Sequence, residues 1–154
     1  MAFYRKTEPA DVLYLARNLR KADLKELRAS TGLPPLEALS KSVALSEEAL
    51  TIITETGEIA GIFGLARINK TVGCPWLMGT DAIPSISRQF LRVSKDWVEE
   101  KNKQYPILTN FVHAHNKVAV QWLRFLGFSF IRLDVEHGSA KEPFYEFVRI
   151  KTDV

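Results

Sequence analysis

The feature that most restricts the fold lies mid-chain. Two β-prone segments, Cys74 to Gly79 and Ile107 to Ala114, flank a stretch of helical spacing that runs from Pro84 to Lys103 and is stopped by Pro106. Ile86, Phe90, Val93 and Trp97 fall on one face of that stretch. Strand, helix and strand in direct succession predict a right-handed parallel crossover, with the two strands adjacent in one sheet.

The remaining elements fit around that unit. Phe3 to Lys6 reads as a short first strand, and Pro9 opens a helix carrying Val12, Leu15, Ala16 and Leu19. A second helix is expected from Asp23, as its N-cap, to Ala29; Thr31-Gly32 closes it and Pro34-Pro35 blocks continuation. Leu36, Leu39 and Val43 suggest a third. Leu50 to Thr54 and Ile59 to Leu65 then switch to strand character around a Glu55-Thr56-Gly57-Glu58 turn. After the crossover, Asn116 can cap a helix bearing Ala119, Trp122, Leu123 and Leu126, with Gly127 at its left-handed end. Phe128 to Val135 and Phe144 to Ile150 form a closing hairpin around Gly138. The expected fold class is mixed α/β (α+β), a sheet flanked by helices, as one domain over residues 1–154.

Bulk composition narrows the function classes. With 46% hydrophobic and 25% charged residues the chain has a globular balance, which excludes disordered and fibrous classes. No apolar run reaches the roughly 20 residues of a membrane span, and the opening residues are too polar for a signal peptide. Cys74 is the only cysteine, so no internal disulfide forms, as suits a reducing compartment. The net charge is +3, but Lys and Arg are dispersed. The densest basic stretch, Arg17 to Arg28, includes Asp23 and Glu26 and reads as a solvated helix face rather than a nucleic-acid footprint. Neither nucleic acid nor membrane is an expected partner.

Asn116, Ala119, Gly127 and Phe128 fall at offsets that resemble the GNAT N-acyltransferases, which carry an Asn, an Ala three residues on, and a Gly-Phe pair closing the following helix. The resemblance implies a sheet splayed between its fourth and fifth strands, here Cys74 to Gly79 and Ile107 to His113, with the pantetheine arm of acyl-CoA in the gap. A narrower pattern is Cys74-Pro-Trp76, Thr80-Asp81, Asn110, Asn116, Leu126-Gly127 and Pro143-Phe144 with Phe147. It is similar to the tailed-phage proteins grouped with internal virion protein A. That likeness implies phage structural or assembly partners and a place in the host cytoplasm or the virion.

Two positions depart from the GNAT pattern. The turn expected to cradle the CoA pyrophosphate with backbone N–H groups reads Met78-Gly79-Thr80-Asp81-Ala82-Ile83-Pro84-Ser85. It keeps one glycine, Pro84 lacks a donor, and Asp81 adds a negative charge. Leu123 stands where many members have a proton-donating Tyr, and leucine donates none. The resemblance implies acetyl-CoA contacts from Leu77, Met78, Gly79, Thr80, Asn116 and Trp122, with Ser85, Ser87, Arg88 and Arg92 compensating at the phosphate end. Asp81 at the strand's carboxyl end, or His113 or His115, would take the amine proton. Each has a structural reading beside this: a helix cap for Asp81 and Asn116, satisfied histidines on one strand face, and core packing for Trp122 and Phe128. No third ligand accompanies the histidine pair, so no metal is expected.

Overall fold

The structure, a computed structural model, describes residues 3–86 and 88–151, apart from the side chains of Arg88 and Gln89. Its elements run β1 (Phe3–Lys6), α1 (Pro9–Asn18), α2 (Lys21–Thr31), α3 (Pro35–Leu45), β2 (Ser46–Ile53), β3 (Ile59–Arg67), β4 (Val72–Gly79), α4 (Arg88–Gln104), β5 (Ile107–His113), α5 (Lys117–Phe125), β6 (Ser129–His137) and β7 (Glu142–Ile150). The strands form one seven-stranded sheet in the order β1-β2-β3-β4-β5-β7-β6. Only β4 and β5 pair in parallel, as the crossover requires.

Helices cover both faces, and the alternation along β3 shows why. Ile62 packs with Val12, Leu15, Leu27 and Leu39 of α1–α3. Its neighbour Phe63 points the other way onto Phe90 of α4, and Leu65 follows it onto Val98. Gly127 ends α5 with φ +90° and Gly32 ends α2 with φ +68°, the left-handed conformation that glycine adopts without strain.

Two expected boundaries are corrected. The long helix begins at Arg88, not Pro84; Ile83–Ser85 is a separate 3-10 turn, and Ile86 behind it is extended at ψ 131°. Asp81 therefore lies too far upstream to cap that helix. The second helix starts at Lys21, so Asp23 is its third residue and not its N-cap. Nor is the Arg17 to Arg28 stretch wholly a solvated face, since Asp23, Glu26 and Leu27 are buried.

The parallel pair is brief. Only Val72↔Ile107 and Gly73↔Leu108 are in register, and beyond them the strands diverge. Pro75 explains where. Thr80 N–H donates to the Ala60 carbonyl of β3, so by alternation the backbone groups of even residues of β4 face β3 and those of residues 73, 75, 77 and 79 face β5. Pro75 is thus the first β5-facing residue past the paired segment, and it has no N–H to continue the ladder. Asn110 fills the crotch instead: its Nδ2 donates to Pro75 O at 2.9 Å and its Oδ1 accepts from Phe111 N at 2.8 Å.

Asn110→Ala would leave one backbone carbonyl and one N–H without these partners. It should lower the unfolding free energy by about 2 kcal/mol, at roughly 1–3 kcal/mol per orphaned buried group. Urea denaturation reads this directly. A loss within about 0.5 kcal/mol, the range of an ordinary surface change, would show that the bridge is idle.

Candidate active site

Past Asn110 the gap between β4 and β5 opens into a cavity of about 420 Å³, bounded by both strands and by α2, α4 and α5. Along the gap the backbone groups of β4 and β5 no longer pair with each other, and most have found other partners. Gly79 N–H donates to Asp23 Oδ2 at 2.8 Å, and Gly79 O accepts from Arg20 N at 2.9 Å. Across the gap, His113 N–H donates to Glu26 Oε1 at 2.8 Å. Phe111 N–H is held by Asn110. Leu77, whose N–H faces the gap by the same alternation, has no such partner among the described residues.

Asp23 and Glu26 lie one helical turn apart on α2, on the same side as Leu27, so the helix that packs into the sheet carries both carboxylates inward. Asp23 is saturated: Oδ1 accepts from Arg20 Nη1 at 3.0 Å and from Asn116 Nδ2 at 2.8 Å, and Oδ2 holds Gly79. Glu26 is only half engaged. Its Oε1 takes His113 N–H and, at 3.4 Å, Asn116 Nδ2, whereas Oε2 has no partner among the described residues although Glu26 lines the cavity. Burial pushes the Glu26 carboxyl from an ordinary 4.5 up to about 7; Asp23 adds to the rise, and His113 N–H, the Asn116 amide and Arg20 oppose it.

The residues singled out in the sequence divide sharply. Leu77, Met78 and Trp122 line the cavity. The indole Nε1 of Trp122 is buried with no hydrogen-bond partner among the described residues, a donor without an acceptor. Asn116 is buried and caps α5 through Ala119 N, with its amide committed to the α2 carboxylates. Gly79 is tied to α2 as described. Thr80 is buried, and its hydroxyl is used by Ile59 O and Ala82 N.

None of the three residues considered as bases is on the cavity wall. Asp81 is exposed on the turn after β4. His113 is buried and its Nε2 lies 2.8 Å from Glu142 Oε1; His115 is exposed beyond the end of β5. Ser85 is exposed and its hydroxyl returns to Ala82 O, Arg92 is exposed on α4, and Ser87 and the Arg88 side chain lie outside the described residues. Among the described residues no group of three or more His, Cys, Asp or Glu could hold a metal ion, and no helix is long and apolar enough to cross a membrane.

The turn after β4 is poorer in donors than its sequence suggests. Thr80 N, Ala82 N, Ile83 N, Ser85 N and Ile86 N all bond within the protein, and Pro84 has no N–H. The site missed in the sequence was α2. Asp23 and Glu26 share the face of Leu27 at helical spacing, which marks them as inward, but a carboxylate pair among basic residues looks solvent-facing until its partners are known.

No protein-family model matches the sequence, and no curated protein matches it significantly. Solved structures do match the fold over nearly the whole chain. Ard1 from Thermoplasma volcanium superposes with a TM-score of 0.71 at 15% identity, covering 99% of both chains. The spermidine N-acetyltransferase from Vibrio cholerae, in complex with CoA and spermine, gives 0.69 at 12% identity over 97% of this chain and 95% of its own. A GNAT superfamily phosphinothricin acetyltransferase from Sinorhizobium meliloti, in complex with AcCoA, gives 0.69 at 12% identity over 97% and 88%. The fold is therefore that of the GNAT acetyltransferases. The narrower likeness to phage internal virion protein A gains no support from these neighbours.

The raised Glu26 carboxyl makes stability depend on pH in a stated direction. The unfolded chain releases this proton near 4.5 and the folded one near 7. Stability contributed by the protonated form is thus complete below 4.5, declines as pH rises through 7, and is flat above. Glu26→Gln should match the wild type at pH 4.5 and exceed it at pH 8, by up to about 3 kcal/mol. Thermal melts at the two pH values check this; equal melting temperatures at pH 8 would contradict it.

Proposed function

We propose that the protein is an acyl-CoA-dependent N-acyltransferase acting on a small-molecule amine by direct attack on the thioester. The observation that carries this reading is the splay. Past Gly73 the β5-facing edge of β4 offers one backbone donor with no partner among the described residues, Leu77 N–H, inside a cavity between the parted strands.

The residues fit the pantetheine and thioester end of such a substrate. Leu77 N–H would hold a carbonyl oxygen as negative charge develops on it, and Leu77 and Met78, which line the cavity, would supply apolar wall. Trp122 Nε1 would donate to an amide carbonyl of the pantetheine arm, which relieves an unsatisfied buried N–H. Met78 N–H is not available for this part, because it faces β3. The phosphate end fits the backbone of the turn after β4 poorly, since Thr80, Ala82, Ile83, Ser85 and Ile86 N–H are already bonded. Side chains would hold it: Ser85, Ser87 and Arg88 follow the turn most closely in sequence. The fold shared with structures that hold CoA or AcCoA supports the reading.

Calorimetric titration with acetyl-CoA tests binding, and thiol release with spermidine, phosphinothricin and an alanine-ended peptide tests transfer. Leu77→Pro removes the donor while leaving the β3 ladder intact, as Pro75 already does two residues earlier. It should lower kcat by about 10²–10³, the usual worth of one such donor. Asp81→Ser takes a negative charge from the phosphate end and should raise acetyl-CoA affinity about two- to tenfold. A wild type that gives no heat with acetyl-CoA would rule out the acyl-CoA reading. It would leave the non-catalytic GNAT-fold module with phage-assembly partners that the narrower sequence likeness implies.

A further inference from the structure

We infer that Glu26, on α2, is the base that accepts the proton of the acceptor amine, in place of Asp81 or a histidine. This rests on the acyltransferase reading and adds to it the identity of a catalytic group.

Four observations place it. Glu26 lines the same cavity as Leu77 and Trp122. Its Oε1 is fixed by His113 N–H at 2.8 Å, which orients the carboxylate across the gap between β4 and β5. Its Oε2 has no hydrogen-bond partner among the described residues and is left free for one in the cavity that Glu26 lines. Asp23, the other carboxylate here, has both oxygens occupied and an arginine beside it, and is a positioning residue that holds Gly79 and Asn116. The charged groups that bear on Glu26 are Asp23 and Arg20, and its remaining neighbours, His113 N–H and the Asn116 amide, are neutral donors. That environment holds the carboxyl near neutrality, which suits a base working at neutral pH.

The chemistry balances without a tyrosine acid, which matters because Leu123 occupies that place. An ammonium acceptor gives one proton to Glu26 Oε2 and becomes a neutral amine. Its nitrogen attacks the thioester carbon, the N–C bond forms and the C–S bond breaks. The remaining excess proton on nitrogen passes through water to the thiolate, giving amide and free thiol. Glu26 then returns its proton to solvent.

The test is the pH dependence of kcat/KM, from pH 5.5 to 8.5, with the best amine of the panel above, for the wild type, Glu26→Gln and Glu26→Asp. The wild type should show an acidic limb with a midpoint near 7. Glu26→Gln should lose that limb and about 10²–10⁴ of its turnover while binding acetyl-CoA with unchanged Kd. Glu26→Asp, which keeps a carboxylate, should recover part of the rate and a limb at a displaced midpoint. A Glu26→Gln variant that keeps the limb, or stays within about threefold of wild-type turnover, overturns the assignment, and loss confined to Asp81→Ser moves the base to Asp81. If Glu26→Gln does not fold, a flat wild-type profile overturns it equally. Wild-type protein that transfers to no amine defeats the underlying reading instead, and the absence of transfer separates the two failures.

Discussion

Where β4 and β5 part, the backbone N–H groups of Gly79 and His113 lose the strand that would have paired them, and α2 meets both with carboxylates. Without that substitution the gap would leave buried donors unpaired, each costing about 1–3 kcal/mol. The rest of the site follows from it. Asn116 hangs from the same two carboxylates and so ties the start of α5 to α2. Arg20, just ahead of α2, closes the set by taking Gly79 O with its backbone and Asp23 with its guanidinium. One turn of helix thereby props the sheet open and walls the cavity.

The two carboxylates solve their burial differently. Asp23 sits between a guanidinium, an amide and an N–H, so its charge is met on every side. Glu26 has neutral donors on one oxygen only, and its ionised form is poorly compensated. A fold selected for stability alone would have no reason to keep such a group. Perturbed carboxyls of this kind concentrate where proton transfer is needed, and the loss of stability near neutral pH is what readiness to accept a proton entails.

The sheet was legible in the sequence because its determinants are local. Proline stops, a change of period and left-handed glycines fix the crossover, the hairpins and the end of α5. Pro75 and Asn110 sit in the sequence at the point of divergence, yet their part in it appears only when the register shows which residues of β4 face β5. The start of α4 was misjudged because Ile83-Pro84-Ser85 forms a 3-10 turn of its own, and apolar spacing does not distinguish one turn from the next. The proposed base, Glu26, was legible only in its helical spacing with Asp23 and Leu27. Asp23 and Glu26 stand among lysines and arginines, and what draws them inward is a pair of backbone groups on strands far along the chain. Charge composition reports on solvent exposure only when no such partner exists.

The bonds that hold the site together also span more than half of the chain. Glu26 meets a residue 87 positions away and Asp23 one 93 positions away. The loop-closure entropy of such contacts is offset only after the intervening strands are in place. During synthesis α2 emerges early, with two carboxylates and nothing to receive them, and it waits in water until β5 and the start of α5 have followed. The cavity between β4 and β5 is therefore assembled late, and a chain that has formed only β1 to β3 is folded in part but has no such gap.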